Sequence, residues 1–282
     1  MKMKIDKSSF IRTCIVTFVS FILCLCIFAL SICTLFTLSL KEKSINYVFK
    51  KSDYSLLAFD SLHTDLADLT IPSGLPIDFF KDKLDFTLFN ARVQNTLSHN
   101  LTGDNLVYSI EQVQKEFFDW SYAYASTETN NMSSEAVDSL QEFSKECAVK
   151  YIKYINPSAL KYLFTAISVV QRYLVYALIF TSFLTVASGV FLYFLCRHRD
   201  FAKYIYFSFI GSALLLGLPS ALLIFTEETK KIGLTSPSLY SLTITYIDGL
   251  LSVIFALSLL IFIGLIIFSI LRLLIRKRKE QR

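Results

Sequence analysis

Disulfide chemistry is missing from the polar part of this sequence. Of its six cysteines, Cys14, Cys24, Cys26 and Cys33 fall in the first apolar run and Cys196 ends the second. Cys147 is left alone in the long polar segment, so no bridge can close there. Metal-binding patterns are equally thin. Of three histidines, His63 and His99 lie in that segment, and neither belongs to an HExxH or similar arrangement. Asp60, His63 and Asp65 cluster locally, but a helix would carry Asp60 and His63 on its polar face. No glycine-rich nucleotide loop, nucleophile elbow or carboxylate pair at a recognisable spacing occurs. The sequence therefore offers no catalytic, cofactor-binding or metal-ligating residue and no nucleic-acid motif. The expectation is a protein without enzymatic activity and without cofactors.

Charge is absent from four further places. The windows 13–40, 173–196, 204–226 and 249–271 contain no ionisable Asp, Glu, Lys or Arg. About 20 apolar residues suffice to cross ~30 Å of hydrocarbon, and 54% of the 282 residues are hydrophobic. Each window is long enough to span. The first exceeds the ~7–15 residues of a signal-peptide core. Its only small-residue site, Ala29–Leu30–Ser31, sits in mid-run, and Ile32 before Cys33 is too bulky for a lipoprotein signal. An uncleaved anchor is expected. Transport proteins place ionisable groups within the bilayer; these windows hold none. Gly217 and Pro219 predict a packing kink in the third window.

Basic loops face the cytoplasm. Lys2, Lys4, Lys7 and Arg12 against Asp6 give the first tail a net +3; Arg197, Arg199 and Lys203 against Asp200 give +2. Arg272, Arg276, Lys277, Arg278, Lys279 and Arg282 against Glu280 give the last tail +5. The long segment 41–163 carries 12 basic and 17 acidic residues, net −5. Four alternating spans put all three basic segments on one side, with Arg197, Arg199, Lys203, Arg276, Lys277, Arg278 and Lys279 as the topology determinants. The fold class expected is an all-α membrane protein: four transmembrane helices, with an extracytoplasmic helical bundle inserted between the first and second. The organisation is a cytosolic tail 1–12, span 13–40, outer domain 41–163, and span 164–196 with its outer extension. A cytosolic loop 197–203, span 204–226, outer loop 227–248, span 249–271 and basic cytosolic tail 272–282 follow. The setting is the cell membrane, with the bilayer as first partner. The last tail also offers charge to anionic lipid headgroups, and Cys196, beside Arg197, has the position of an acylation site. The Lys-, Ile- and Phe-rich composition points to a bacterium.

In the outer segment the pattern becomes periodic, as in amphipathic helices. Leu56, Phe59, Leu62, Leu66 and Leu69 form one stripe within 45–69. The turn IPSGLP, residues 71–76, precedes a helix expected over 77–97 with Phe79, Phe86, Val93 and Leu97 on one side and Phe80 and Leu84 alongside. Ile110, Val113, Phe117, Trp120 and Tyr124 recur next, then Ala136, Leu140, Phe143, Cys147, Tyr151 and Tyr154 within 135–155. Four such helices can bury one core. Pro157 is expected to open a last helix that continues into the second span. Asn100–Thr102 and Asn131–Ser133 match the glycosylation pattern. The outer loop's SLYSLTITYID fits either an interfacial helix or an extended segment. Phe118 and Tyr122 fall off the Phe117–Trp120–Tyr124 stripe and are the candidate partner surface.

One span, a large outer domain, then three spans with both ends inside is an outline that resembles the four-span ABC permeases of the cell-division and macrolide-exporter type. Those permeases have a longer cytosolic segment between spans two and three, where this chain has only CRHRDFAK, residues 196–203. The chain also resembles uncharacterised four-span proteins of Gram-positive bacteria whose helical outer domain contains a GLP turn, here Gly74–Leu75–Pro76; that likeness implies topology and no activity. The outer-loop cysteine motifs of tetraspanins and claudins are absent. The function expected is a non-enzymatic multi-pass protein whose outer domain binds a protein, peptide or envelope component, as an accessory or sensory subunit. The alternative is a permease-type subunit driven by a separate ATPase.

Overall fold

The computed structural model describes residues 7–102, 108–128, 133–196 and 198–280, with no strand among them. Among the described residues nine α-helices run in order: α1 Lys7–Ser39, α2 Glu42–Lys51, α3 Tyr54–Thr70, α4 Phe86–Thr102, α5 Ile110–Glu128, α6 Ser134–Ile155, α7 Ser158–Leu195, α8 His198–Thr226 and α9 Pro237–Glu280. Four of the described helices, α1, α7, α8 and α9, contain stretches long and apolar enough to cross a membrane. This is a multi-pass membrane protein by length and composition. Its residues divide into two compact units: Met1–Ser44, Val170–Ile232 and Tyr246–Arg282 in one, Ile45–Val169 and Gly233–Thr245 in the other.

In the first unit, hydrogen bonds fix the direction of each helix. At one end Arg12 Nη2 donates to the Leu195 carbonyl at 2.8 Å, placing a cation on the unsatisfied last turn of α7. Leu192 and Cys196 bury themselves there against Val16, Val19, Leu23 and Ile27. At the other end Gln171 Nε2 donates to the Leu40 carbonyl at 2.6 Å, and the Ser39 and Tyr246 hydroxyls meet at 3.1 Å. Thus α7 and α9 run antiparallel to α1. Helix α8 runs parallel to it. Ser20 and Ser208 pair at 2.9 Å, each hydroxyl also reaching a carbonyl across the seam, Tyr204 and Ser20 respectively. Small residues permit this approach: a β-carbon on Gly211 would stand 2.7 Å from Cys24 Sγ, and one on Gly217 would overlap the Ser258 hydroxyl. Ser258 in turn donates to the Ala213 carbonyl at 3.0 Å. Pro219 lies inside α8 without ending it; Ser220 Oγ donates to the Leu216 and Gly217 carbonyls at 2.8 and 3.0 Å.

Two expectations for the loop between α7 and α8 meet the structure here. Cys196 is buried at 8% exposure, so its thiol is not open to acylation; packing against α1 is its role. Lys203 is exposed and bonds Asp200 at 3.2 Å. Arg197 lies outside the described residues, as do the side chains of Arg199, Arg276, Lys277, Arg278 and Lys279.

The second unit is a helical bundle around a single aromatic-rich core. Where the sequence reads as one stripe from Ile45 to Leu69, the chain breaks at Asp53, whose φ of 50° is left-handed. Asp tolerates that conformation better than most residues. The break re-phases α3, so that Tyr54, Ala58, Leu62 and Leu66 are buried while Leu56 is exposed. The helix expected over 77–97 begins only at Phe86. Residues 77–83 are turns, and Asp85 Oδ1 accepts the Thr87 N–H at 2.7 Å. A capping aspartate outcompetes continuation of the helix upstream. Phe79 and Phe80 are buried nonetheless, at 7% and 0% exposure. Ser133 caps α6 by accepting from the Ala136 N–H. In α5, Val113 and Phe117 are buried whereas Ile110 is exposed.

The segment SLYSLTITYID belongs to α9, and residues up to Thr245 belong to the second unit. Leu242 is buried in that core with Leu239 packed against it. Ser241 Oγ donates to the Ser52 carbonyl at 2.7 Å, and Ser238 bonds the buried Tyr54 phenol, whose ionisation burial pushes well above its usual range.

Candidate functional site

Helices α4, α5 and α6 carry the chemistry of the second unit on their shared seam. Arg92 extends from α4 with only 15% of its side chain exposed. Its Nη2 donates to Glu116 Oε1 of α5 at 2.8 Å and its Nη1 to Oε2 at 3.2 Å, the two-pronged geometry that guanidinium and carboxylate share. The same Nη1 reaches the Tyr151 hydroxyl of α6 at 3.3 Å. The guanidinium also lies 5.5 Å from the Tyr151 ring and 5.9 Å from the Tyr108 ring, within cation–π range. Burial alone would lower the Arg92 pKa; the bond to Glu116 and the charge of Tyr151 and Glu116 outweigh it and raise it. Burial likewise raises Tyr151. The ion pair thus ties three helices together and leaves Arg92 charged.

This constellation was not visible in the sequence, because Arg92 and Glu116 sit 24 positions apart on different helices. Replacing Arg92 by alanine is expected to cost about 2 kcal/mol of stability. That figure is the ~3–5 kcal/mol of a broken buried pair discounted for Glu116, which is 40% exposed and can return to water. Glu116→Gln, which still accepts from Arg92, should cost less than half as much in chemical denaturation; equal losses would assign the cost to packing rather than to the pair.

The aromatic residues of EFFDWSYAYA separate into two populations. Phe117 meets Phe80 at 5.6 Å, Tyr151 at 5.8 Å and Trp120 at 5.2 Å between centroids, all edge to face. Tyr124 meets Phe79 in the same way at 5.5 Å. These rings are core, in the preferred quadrupolar arrangement. Lys83 seals their border, with Nζ 3.7 Å from the centroid of the Phe79 ring and 3.4 Å from the Trp120 carbonyl; burial lowers its pKa. Phe118 and Tyr122 take no part in this network. They stack on one another at 5.7 Å and 27°, and Tyr122 is 45% exposed. Asp119 and Lys115 beside them are exposed.

The Asp60–His63–Asp65 group is divided by its neighbours. His63 lies against the Phe59 ring, while Asp65 pairs with Lys150 at 3.5 Å and bonds Tyr154. Among the described residues no three His, Cys, Asp or Glu side chains gather closely enough to hold a metal ion. Cys147 is fully buried, and burial pushes its thiol up to about 12; that favours packing over reactivity. Asn100 Nδ2 donates to Asn156 Oδ1 at 3.3 Å, a bond that glycosylation of that nitrogen would break. Asn131 lies outside the described residues.

In comparisons with known proteins, no family model, no curated protein and no solved structure matches this chain.

Proposed function

We propose that this is a non-enzymatic multi-pass protein of the cell membrane, whose helical second unit stands outside the cytoplasm and binds a protein, peptide or envelope component. Both termini are cytoplasmic in this reading, on the charge asymmetry of the tails and the Arg197–Lys203 loop. The observation that carries it is the stacked pair Phe118–Tyr122 on an exposed face of α5, next to a core that already uses Phe117, Trp120 and Tyr124. Tyrosine and its aromatic neighbours are frequent anchors of protein interfaces. Helix α7 ends at Leu195 and α8 starts at His198, a short link. That link leaves no element to engage a separate ATPase, which weighs against the permease reading.

A photoreactive side chain at the exposed Asp119 beside the pair, in the full-length protein activated in intact cells, should capture a specific second protein or envelope polymer. Phe118→Ala with Tyr122→Ala should lower that recovery at least tenfold, as expected for anchors worth ~2 kcal/mol or more. Recovery of the chain alone, or recovery indifferent to the double substitution, counts against the reading.

A further inference from the structure

From Val170 onward, helix α7 belongs to the first unit. On one side of it Leu192 is fully buried, packed with Cys196 against α1. The far side is uncovered. Residues 173–194 hold seven aromatic side chains. Tyr193 meets Phe201 of α8 at 5.3 Å. The other six, Tyr173, Tyr176, Phe180, Phe183, Phe191 and Phe194, are 53–78% exposed.

These six rings are sorted. At ~100° per residue they fall within an arc of about 80°, while the exposed aliphatic Val175, Ile179 and Val186 take the adjoining arc. Lipid tails are as apolar as leucine and give no reason to separate rings from aliphatic groups. The part of α9 in the same unit, Tyr246–Arg282, displays what lipid contact alone asks for. Of the large exposed side chains described there, only Phe268 is aromatic. Tyrosines at the end of a span are ordinary interfacial residues, but Phe180 and Phe183 lie about 10–15 Å further along the helix. The spacing also has a form. Tyr173, Phe180, Ala187 and Phe194 recur every seven residues, with Tyr176 and Phe183 between them. That is the repeat of left-handed helix pairs. The run covers about 31 Å, close to the ~30 Å depth of the hydrocarbon.

Area separates a passing contact from a stable one. Six rings of ~150–250 Å² each, about two-thirds exposed, offer roughly 800 Å² per copy. Each partner in a stable complex of standard size buries about that much.

We infer that this aromatic seam of α7 is the interface through which two copies of the chain pair side by side in the membrane. Copies of one chain are inserted in the same sense, so two α7 helices meet in parallel and at equal depth. A two-fold axis along the pair sets each ring against its own equivalent. Edge-to-face and offset ring contacts then add attraction that lipid tails do not supply. Ala187, small and exposed, lets the two backbones approach between the ring layers. No residue of the second unit enters the seam, which is independent of what Phe118 and Tyr122 bind.

The test uses the full-length chain with a donor or an acceptor fluorescent protein fused after Arg282, the two forms reconstituted together in phosphatidylcholine vesicles. Energy transfer should persist when the lipid-to-protein ratio is raised tenfold, and competition by unlabelled chain should follow the curve for two copies per complex. Phe180→Leu with Phe183→Leu keeps the helix apolar and should raise the protein density needed for half-maximal transfer about tenfold, through loss of the ring pairs. Val175→Leu with Ile179→Leu, on the adjoining arc, should leave that density unaltered. Phe183→Leu alone, at an exposed position, should raise it about threefold and keeps the experiment decisive if the double variant folds poorly. Transfer that falls in proportion to dilution would mean that lipid covers the seam, and overturns the inference. A pairing indifferent to the phenylalanine changes, or competition that fits more than two copies, overturns it as well.

Discussion

Phe80→Ala should be among the most damaging single changes in the second unit, although Phe80 lies in a stretch of turns. The ring is fully buried and touches Phe79 at 4.9 Å, Phe117 at 5.6 Å and Phe143 at 6.1 Å. Removing it leaves a cavity among rigid rings that cannot collapse inward, so a loss of ~3–5 kcal/mol is expected. Ile77 in the same turns is 63% exposed; Ile77→Ala should change stability by no more than ~0.5 kcal/mol. The sole tryptophan, Trp120, packs edge to face on Phe117 and reports the transition without a label. Denaturant unfolding of the two variants in mild detergent, followed by Trp120 emission, makes the comparison. Similar small shifts for both would mean that the turn segment does not belong to the core.

Leu242→Ala should destabilise the same cooperative transition, though Leu242 lies in the segment between the third and fourth apolar stretches. It is 7% exposed within the second unit's core, and truncating a buried leucine costs ~2–5 kcal/mol. Ser241→Ala should add ~1 kcal/mol by releasing the Ser52 carbonyl. Leu234, 42% exposed, supplies the control. Amide exchange in α3 should accelerate in Leu242→Ala, because Tyr54 at the head of α3 is held by Ser238. A fragment cut as 41–163 omits Gly233–Thr245 and should be less stable than one that restores it. If Leu242→Ala left α3 exchange unchanged, the head of α9 would not belong to this unit.

Phe80 and Leu242 are buried by tertiary contacts that no local period encodes. Phe117, Trp120 and Tyr124 were identified as core from spacing alone, and they pack on the core. A regular period identifies a face when the helix is unbroken. Residues 77–85 carry a helical period without forming a helix: Asp85 starts α4 instead of continuing a helix from Pro76, and Phe80 is buried along the path of the turns. Leu56 was misplaced because Asp53 resets the phase of α3. Leu242 lies in SLYSLTITYID, which by sequence fits an interfacial helix or an extended segment, because so short an apolar stretch carries no distinctive period. Arg92 meets its partners Glu116 and Tyr151 from other helices, so no spacing along the chain links them.

The sequence by itself determined the four apolar helices, because the energetic demand of hydrocarbon on ~20 residues is local and needs no partner. It also determined the charge asymmetry along the chain and most of the buried stripes of α5 and α6, with Val113, Phe117, Phe143, Cys147 and Tyr151 buried but Ile110 and Ala136 exposed. Tertiary structure alone decided the joining of Gly233–Thr245 to a unit that begins at Ile45, the Arg92–Glu116–Tyr151 knot, and the parallel seam of α1 and α8. Each depends on groups brought together from distant positions, and no local periodicity records which of many apolar or polar surfaces will meet.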